Sequence, residues 1–503
     1  MSVFDLAHLP SASDGFDRCQ FVLNDDKTHL RFFSDLAGER PIYLYYDGHN
    51  VHFSLHLPSI LEYLQARKLL RLDDKSTSFL LQNYVIPVPY SCYQNLYIIT
   101  AGQVIDLWFD GGRWSLHRSV EFPFVNSRSR EDSSPDLGAV QEVLSTAVDH
   151  ALKGATDKAL FLSGGKDSIP LAMAAVDSGH KDLHCVTYRS PGAADESEIA
   201  ESVARRLNLR HTVIDVDFGN IDIQRLITYF ERTPFPSLDY AALSYAAAGV
   251  ECLDSGVTVL DGLGSDGYIG YLPTPNVVKQ KRRQLPGFLS ALLRKVYPSD
   301  RFPSGAMRFE YELDGLLGTY WPKEQKAFDL SAFDTHRFWD DLVGGLTYRD
   351  PVDCRAFIRG QYVDHELFMR KARNAADAFE WNVKFPWAQE SVVDYFFNLP
   401  EENRFDRDNY RNKVILRDYI KKRVGVDSDK IGKKGFVFDY TRFLELNQRF
   451  VLDEILACPL WTPAIESHVR KMVDQGFRYR KNAERLYCLF MISGWYNHST
   501  YLN

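Results

Sequence analysis

The sequence predicts an α/β fold, in which a parallel, doubly wound sheet with a helical C-terminal part follows a small β-rich region. Short runs of alternating apolar and polar residues fill residues 19–125, separated by turns such as Asp47-Gly48-His49-Asn50, and this pattern is typical of β-hairpins. From Leu137 onward, apolar strands alternate with helical stretches, which indicates a parallel sheet. Residues 280–503 are mostly helical by period.

These changes of pattern divide the 503 residues into three predicted parts. Residues 1–125 form a β-rich domain, and residues 137–503 form the α/β domain with its helical extension. Residues 126–136 are polar and lack an apolar period, so they are interpreted as a linker. A chain of this length commonly holds two or three domains.

Individual elements follow from the apolar pattern. In the β-rich part the predicted elements are strands at 42–46, 51–55 and 104–109 and a helix at 57–70. In the α/β part they are helix 139–152, strand 159–162, helix 169–176, strand 183–188, helix 196–207, strand 212–216 and strand 256–260. Ligands of parallel sheets bind at the carboxyl ends of the strands, where Ser163 and Asp261 fall.

Composition disfavours several classes of protein. The net charge of −8 argues against a general nucleic-acid binder, and no apolar run is long enough to span a membrane. The first residues lack the basic and apolar regions of a signal peptide. Seven scattered cysteines without a Cys-x-x-Cys pair fit free thiols in a reducing compartment and provide no zinc clip. We therefore expect a cytoplasmic protein, whose oligomeric state the sequence leaves open.

The most informative segment connects the strand 159–162 to the following helix, and it reads Ser163-Gly164-Gly165-Lys166-Asp167-Ser168. Glycines let backbone amides approach a phosphate, and a helix start adds unpaired donors and a partial positive charge. The two serines and the lysine can donate further hydrogen bonds. The aspartate would repel a phosphate, so its expected role is to hold a divalent cation that bridges phosphates. A plain strand–turn–helix connection is the alternative.

A second glycine-rich loop follows the strand 256–260 and reads Asp261-Gly262-Leu263-Gly264-Ser265-Asp266. If the two strands are neighbours in the sheet, Asp266 and Asp167 face each other. Two carboxylates beside a triphosphate indicate a magnesium ion between them. The alternative role of Asp266 is that of a helix N-cap.

The first loop resembles the SGGxDS loop of the ATP-pyrophosphatase superfamily. The second resembles the G-x-G-S/A-D loop of asparagine synthetases and their relatives, the β-lactam-forming synthetases and lasso peptide cyclases. Further similar stretches follow in the same order, namely Phe33–Tyr45, Val85–Pro89, Ala101–Gln103, Lys371–Trp387, Arg411–Arg417 and Lys433–Phe436. The resemblance implies an adenine-nucleotide alpha-hydrolase-like synthetase domain at 137–503 and a shortened, degenerate glutaminase-like domain of the N-terminal-nucleophile type at 1–125.

The resemblance also implies the chemistry. ATP and Mg²⁺ would adenylate a substrate carboxylate with release of pyrophosphate, and an amine would capture the adenylate as an amide. Asp167 and Asp266 would hold the metal, and Lys433 and Asp266 would act in catalysis. We add Glu366 as a third candidate catalytic residue because it lies nearby in the sequence. The nucleotide-binding residues would be Leu162, Ser163, Gly164, Gly165, Lys166, Asp167, Ser168, Val186, Gly262, Gly264, Ser265 and Lys413.

Two of the departures from the family pattern bear directly on the chemistry. Position 2 is Ser2 instead of the cysteine nucleophile of glutamine-dependent members, and few residues precede Phe33, so we expect no glutaminase activity. Leu263 stands where relatives carry glutamate or tyrosine, and a leucine can neither accept a proton nor orient an amine. Candidate replacements for that base are Tyr268, Glu366 and Glu380. Otherwise the nucleophile arrives deprotonated, or the reaction ends at the adenylate.

The leading hypothesis from the sequence is an ATP-dependent ligase that couples a small-molecule or peptide carboxylate to an amine without hydrolysing glutamine, in natural-product biosynthesis. The alternatives are a lasso-type peptide macrocyclase and a non-catalytic ATP-binding relative. Leu263 favours the non-catalytic relative, whereas the presence of both aspartates and Lys433 disfavours it.

Overall fold

The structure, a computed structural model, describes residues 4–5, 20–24, 26–35, 37–120, 134–189, 195–216, 221–248, 252–269, 272, 338, 351–431, 438–476 and 480–502. It confirms the predicted fold class, with a β-rich N-terminal part, a parallel sheet and a helical C-terminal part. Most of the predicted linker 126–136 and of the helical stretch 280–350 lies outside the described residues. The exact domain boundaries therefore stay predictions.

The N-terminal part is built from two antiparallel sheets and two helices. In chain order the described elements are β1 (Phe4–Asp5), β2 (Gln20–Leu23), β3 (His29–Phe33), β4 (Ile42–Tyr46), β5 (Val51–Ser54), α1 (Leu57–Ala66), α2 (Asp74–Asn83), β6 (Leu96–Ile99), β7 (Gln103–Asp110) and β8 (Arg113–Val120). One sheet has the strand order β1-β5-β4-β6 and the other β2-β3-β7-β8. The strands predicted near 42–46, 51–55 and 104–109 are thus present.

Side chains along a strand point alternately to the two faces of the sheet, and so they pack into two different hydrophobic cores. Leu30 and Phe32 of one sheet pack against Leu44 and Phe53 of the other, in a core between the two sheets. The neighbouring residue on β4, Tyr43, points to the opposite face and joins the main core beside α1. Successive strand residues face opposite sides, so one sheet serves two cores.

Helix α2 was not predicted from the sequence, because its first turns lack an apolar stripe. Its residues Ser76, Thr77 and Ser78 are buried hydroxyls. The signal that was present is an N-cap, since the Asp73 side chain accepts a hydrogen bond from the Ser76 amide at 3.0 Å. The predicted helix 57–70 ends earlier, at Ala66.

The α/β part contains, in chain order, α3 (Leu137–Leu152), β9 (Lys158–Phe161), α4 (Ser168–Asp177), β10 (His184–Arg189), α5 (Ser197–Leu207), β11 (Arg210–Asp215), α6 (Ile223–Arg232), α7 (Ala242–Ala248), β12 (Thr258–Leu260) and α8 (Asp266–Ile269). Each predicted strand of this part is present within a few residues. The parallel sheet has the order β11-β10-β9-β12-β13, in which β9 and β12 are neighbours.

The remaining described elements are α9 (Pro351–Ile358), a π-helical segment (Arg359–Met369), α10 (Arg370–Phe379), β13 (Asn382–Lys384), a 3₁₀ turn (Pro386–Ala388), α11 (Glu390–Phe397), α12 (Glu401–Arg404), β14 (Phe405–Asp406), β15 (Arg411–Asn412), α13 (Val414–Val424), α14 (Ser428–Ile431), α15 (Tyr440–Leu446), α16 (Gln448–Ala457), α17 (Ile465–Asp474) and α18 (Arg480–His498). Strand β13 was not predicted, because three residues without a fully buried side chain leave no apolar run to read. None of the helices in these described ranges combines the length and the apolar character that a membrane crossing needs.

A tight turn joins the N-terminal part to α10. The Asp35 carboxylate accepts hydrogen bonds from four successive backbone amides of residues 37–40, at 2.6 to 3.0 Å. The turn presents the carbonyl oxygens of Gly38 and Glu39 to the Arg373 guanidinium, at 2.8 and 3.0 Å. The stretch Phe33–Tyr45, which carried part of the family resemblance, therefore forms a contact between the two parts of the chain.

Replacing Gly38 by alanine is expected to lower the free energy of unfolding by about 2–4 kcal/mol. Gly38 has φ +77°, and a Cβ there would lie 2.8 Å from His365 Cδ2 and closer still to Thr100 Oγ1. Gly48 is the matched control, because it has φ +94° but open space around its missing Cβ. Gly48→Ala should cost only about 1 kcal/mol in chemical denaturation. Equal losses for the two variants would show that the close contact at Gly38 contributes nothing.

Candidate active site

The loop Ser163–Ser168 is held in shape by its own hydroxyl groups. Strand β9 ends at Phe161 and α4 begins at Ser168. Ser168 Oγ accepts a hydrogen bond from the Ser163 amide at 3.0 Å and lies 3.0 Å from Ser163 Oγ, which in turn accepts one from the Gly165 amide at 3.1 Å. The serines that the sequence suggested as phosphate donors thus also fix the loop that would receive the phosphate.

The second glycine-rich loop packs directly on the first. A Cβ on Gly262 would lie 3.2 Å from both the Asp167 carbonyl carbon and the Ser168 amide nitrogen. Gly264 has φ +105°, a conformation that favours glycine. Ser265 Oγ donates a hydrogen bond to Asp167 Oδ1 at 2.8 Å. The adjacency of β9 and β12 therefore brings the two predicted loops together.

Lys413 lies between the two aspartates that the sequence paired. Its ammonium group forms ion pairs with Asp167 and with Asp266, the latter at 2.6 Å, and donates to Ser265 Oγ at 2.8 Å. Burial lowers the pKa of Lys413, but the two carboxylates outweigh burial and hold that pKa above its usual value. Lys413 itself has φ +57°, an uncommon conformation for a residue with a side chain. The turn before α13 thus aims this buried cation at the carboxylates.

The carboxylate pair fits Mg²⁺ by its chemistry. Magnesium is commonly held by one or two carboxylates together with substrate phosphates and water. The side chains of Asp167 and Asp266 are 35% and 31% exposed, so they remain accessible from solvent. Within the described ranges no cluster of three or more acidic, histidine or cysteine side chains offers a complete protein cage for a metal ion. We therefore expect any ion here to depend on the phosphates of a nucleotide.

A cavity of about 440 Å³ opens beside the first loop. Of the predicted nucleotide-binding residues, its lining contains Leu162, Ser163, Gly164, Gly165, Lys166, Asp167, Ser168, Val186 and Gly262. Glu196, which the sequence left as a helix-start residue, also lines it. Ser265 and Lys413 lie behind this lining and contact it through Asp167.

The other wall of the cavity carries polar pairs that the sequence analysis did not assign. The Lys371 ammonium lies 3.1 Å from Asp239 Oδ1, and both side chains are largely buried. Tyr245 donates a hydrogen bond to Asp261 Oδ2 at 2.6 Å, and both residues are buried. Asp261 was noticed only as the residue that ends a strand. Asp239 and Tyr245 lie in a segment without a motif, Lys371 begins a family-like stretch, and only the tertiary structure brings them together.

Glu366 was predicted to act in catalysis, and the structure places it elsewhere. It does not line the cavity, and its carboxylate lies 2.8 Å from the Arg370 guanidinium and 2.5 Å from His365 Nδ1. Burial raises the pKa of Glu366, but Arg370 and His365 outweigh burial and lower it to about 2. A carboxylate that holds its proton so weakly and is buried against an arginine is a poor base. This position beside Arg370 and His365 does not favour the catalytic role that the sequence suggested.

Three other predicted residues also fall outside the cavity lining. Tyr268 is buried and donates its hydroxyl hydrogen to the Trp387 carbonyl oxygen at 2.7 Å. Glu380 is exposed and lies 3.7 Å from Arg232. Arg417, which ends the family-like stretch Arg411–Arg417, pairs with Asp429 at 2.7 Å. Lys433 lies outside the described residues.

A phosphate-type loop and a carboxylate pair at the carboxyl edge of a parallel sheet define an α/β nucleotide-binding protein as the class. The chain belongs to the asparagine synthase family, since the sequence model of that family matches residues 139–446, which is more than half of the chain. Members of this family are ATP-dependent ligases.

A protein of Methanocaldococcus jannaschii named "Putative asparagine synthetase, glutamine-hydrolyzing, 2" is similar to this chain, with 24% identity over 328 residues. The alignment covers 64% of this chain and 60% of that relative. The chain thus spans less than two thirds of the length of this relative.

Proposed function

We propose that this protein uses ATP to adenylate a substrate carboxylate and couples the product to an amine, without hydrolysing glutamine. The observation that carries the proposal is that Lys413 joins Asp266 to Asp167, which lines the cavity beside the first loop. This arrangement offers backbone amides, a buried cation and a carboxylate pair to one triphosphate. Membership in a family of ATP-dependent ligases supports the same assignment.

Different residues of the cavity would bind different parts of the nucleotide. The apolar wall at Leu162 and Val186 would receive the adenine, and the amides of the Ser163–Ser168 loop would bind the phosphates. Mg²⁺ held by Asp167 and Asp266 would neutralise phosphate charge. As the substrate oxygen attacks the α-phosphorus and pyrophosphate departs, negative charge grows on the leaving group. Preorganised amides and the Lys413 ammonium would stabilise that charge.

The expectation of glutamine independence rests on the N-terminal part. Among the described residues of the N-terminal part, the cysteine is Cys92, and its side chain is buried. Burial holds the pKa of its thiol well above the usual value. Such a thiol is a poor nucleophile. Ammonia or a substrate amine would then serve directly as the nitrogen donor.

The test is acid-dependent formation of AMP and pyrophosphate by the full chain. The protein is incubated with Mg²⁺, ATP and hydroxylamine, together with single members of a panel of amino acids and of aliphatic and aromatic acids. An adenylating enzyme should yield AMP, pyrophosphate and a hydroxamate for one or more acids. Glutamine should not replace hydroxylamine. ADP and phosphate as the products, or no turnover with any acid, would contradict the proposal.

A further inference from the structure

Amide formation requires a proton acceptor, and Leu263 cannot be one. When an amine attacks an acyl-adenylate, a C–N bond forms and the C–O bond to AMP breaks. AMP leaves with the electron pair of that bond, and the nitrogen must lose a proton. A positioned acceptor typically accelerates such a step by about 10²–10⁴-fold. The proton acceptor is therefore another group that lines the cavity.

The described lining contains four acidic side chains, and two of them form ion pairs with lysines. Asp167 is bound to Lys413 and Ser265. Asp239 pairs with Lys371, so protonating it would break a buried ion pair. Glu196 lies against the phosphate loop, where a Cβ on Gly164 would be 3.3 Å from the Glu196 Cβ. The fourth is Asp261.

Asp261 is buried, and both of its carboxylate oxygens are positioned. Oδ1 accepts a hydrogen bond from the Leu263 amide at 3.1 Å, and Oδ2 accepts one from the Tyr245 hydroxyl at 2.6 Å. The Tyr245 ring is held edge-on against Phe161, with 5.1 Å between ring centroids. Tyr245 and Asp261 both line the cavity, and the Tyr245 hydroxyl joins the two side chains by its hydrogen bond.

We propose that Tyr245 and Asp261 relay the proton away from the attacking amine, in the place of the base that Leu263 lacks. The Tyr245 oxygen takes one proton from the nitrogen as its own proton passes to Asp261 Oδ2. Tyr245 is thus the catalytic residue that contacts the amine, and Asp261 acts through it as a positioning and accepting group. The inference rests on the proposed function, because it assigns the second half of that reaction.

The electrostatics of the pair agree with this direction of transfer. Burial raises the pKa of Asp261 above its ordinary value, against the Tyr245 hydrogen bond and the nearby Lys371 charge. Burial and the Asp261 charge raise the pKa of Tyr245 well above its usual value, so the phenol remains protonated at neutral pH. It can therefore pass a proton on only as it receives another. The charged or titratable groups facing the pair are Lys371, Asp167, Tyr188 and Asp239.

The test compares the variants Tyr245→Phe and Asp261→Asn with the wild-type full chain. Each protein is assayed with two kinds of nucleophile, hydroxylamine and an amine. Hydroxylamine is largely unprotonated at neutral pH and traps an adenylate with little help. Ammonium and primary amines need a base. In both variants the rate of amide formation should fall by about 10²-fold or more relative to the rate of hydroxamate formation in the same variant. The loss in Asp261→Asn should be in kcat and should remove the acidic limb of the pH profile of coupling.

Tyr419→Phe is the matched control, because Tyr419 is a buried tyrosine on α13 that does not line the cavity. Melting temperatures of all variants, with and without Mg²⁺ and ATP, separate loss of coupling from loss of folding. Wild-type amide rates in both variants would overturn the proton relay, and so would equal losses of hydroxamate and amide in folded protein. Absence of AMP and hydroxamate from the wild-type protein would instead overturn the proposed function together with the relay.

Discussion

Replacement of Asp167 by asparagine is expected to reduce ATP-dependent pyrophosphate release by roughly 10²–10³-fold. The substitution would keep the shape of the side chain but remove one of the two carboxylates that flank Lys413. A neutral amide binds magnesium less well than a carboxylate, so the Mg²⁺ concentration that gives half-maximal rate should also rise. Pyrophosphate release is measured across a magnesium titration with the acid identified in the panel.

The variant Asp182→Asn is the control, because it removes one carboxylate charge at a position outside the cavity. Asp182 is 60% exposed and pairs with Lys158 at 2.8 Å, away from the cavity. This variant should release pyrophosphate at the wild-type rate and with the wild-type magnesium dependence. An Asp167→Asn protein with wild-type rates at low magnesium would contradict the assignment of Asp167 to the metal.

The second large effect is on stability. Arg370→Met is expected to lower the free energy of unfolding by about 3–5 kcal/mol, because it leaves the Glu366 carboxylate buried without its arginine. The Arg370 side chain is 1% exposed and also lies over the Phe235 ring, with its Cζ 4.8 Å from the ring centroid. Chemical denaturation of the full chain measures the loss.

Two further variants show whether charge or packing carries this effect. Arg205→Met breaks an exposed helical pair with Glu201 and should cost less than about 1 kcal/mol. The double variant Glu366→Leu with Arg370→Met removes both buried charges and should recover part of the stability that the single variant loses. A double variant as unstable as the sum of the two single ones would show that packing alone is responsible.

Much of the site could be predicted because its signals are local. The loop Ser163–Ser168 and the loop 261–266 each lie between an apolar run and a helix start, so their place at the carboxyl edge of the sheet follows from chain order alone. The strands of the α/β part were likewise predicted within a few residues, since each is a short, continuous apolar run.

Other features of the structure could not be predicted locally, for physical reasons of another kind. Glu366, a candidate acid near a family-like stretch, lies in a π-helical segment and pairs with His365 and Arg370. Strand β13 and helix α2 lack the apolar periods by which such elements are recognised. In each case contacts between residues distant in the chain outweigh the local pattern.

The sequence by itself determined the fold class and the place of the two glycine-rich loops at the ends of strands. These depend on strand ends and glycine positions, which are properties of neighbouring residues. Only the tertiary structure decided that Lys413 enters between the aspartates, and that Tyr245 reaches Asp261 on the cavity wall. Such contacts join α7, β12 and the turn before α13, and no local periodicity encodes the packing that brings those elements together.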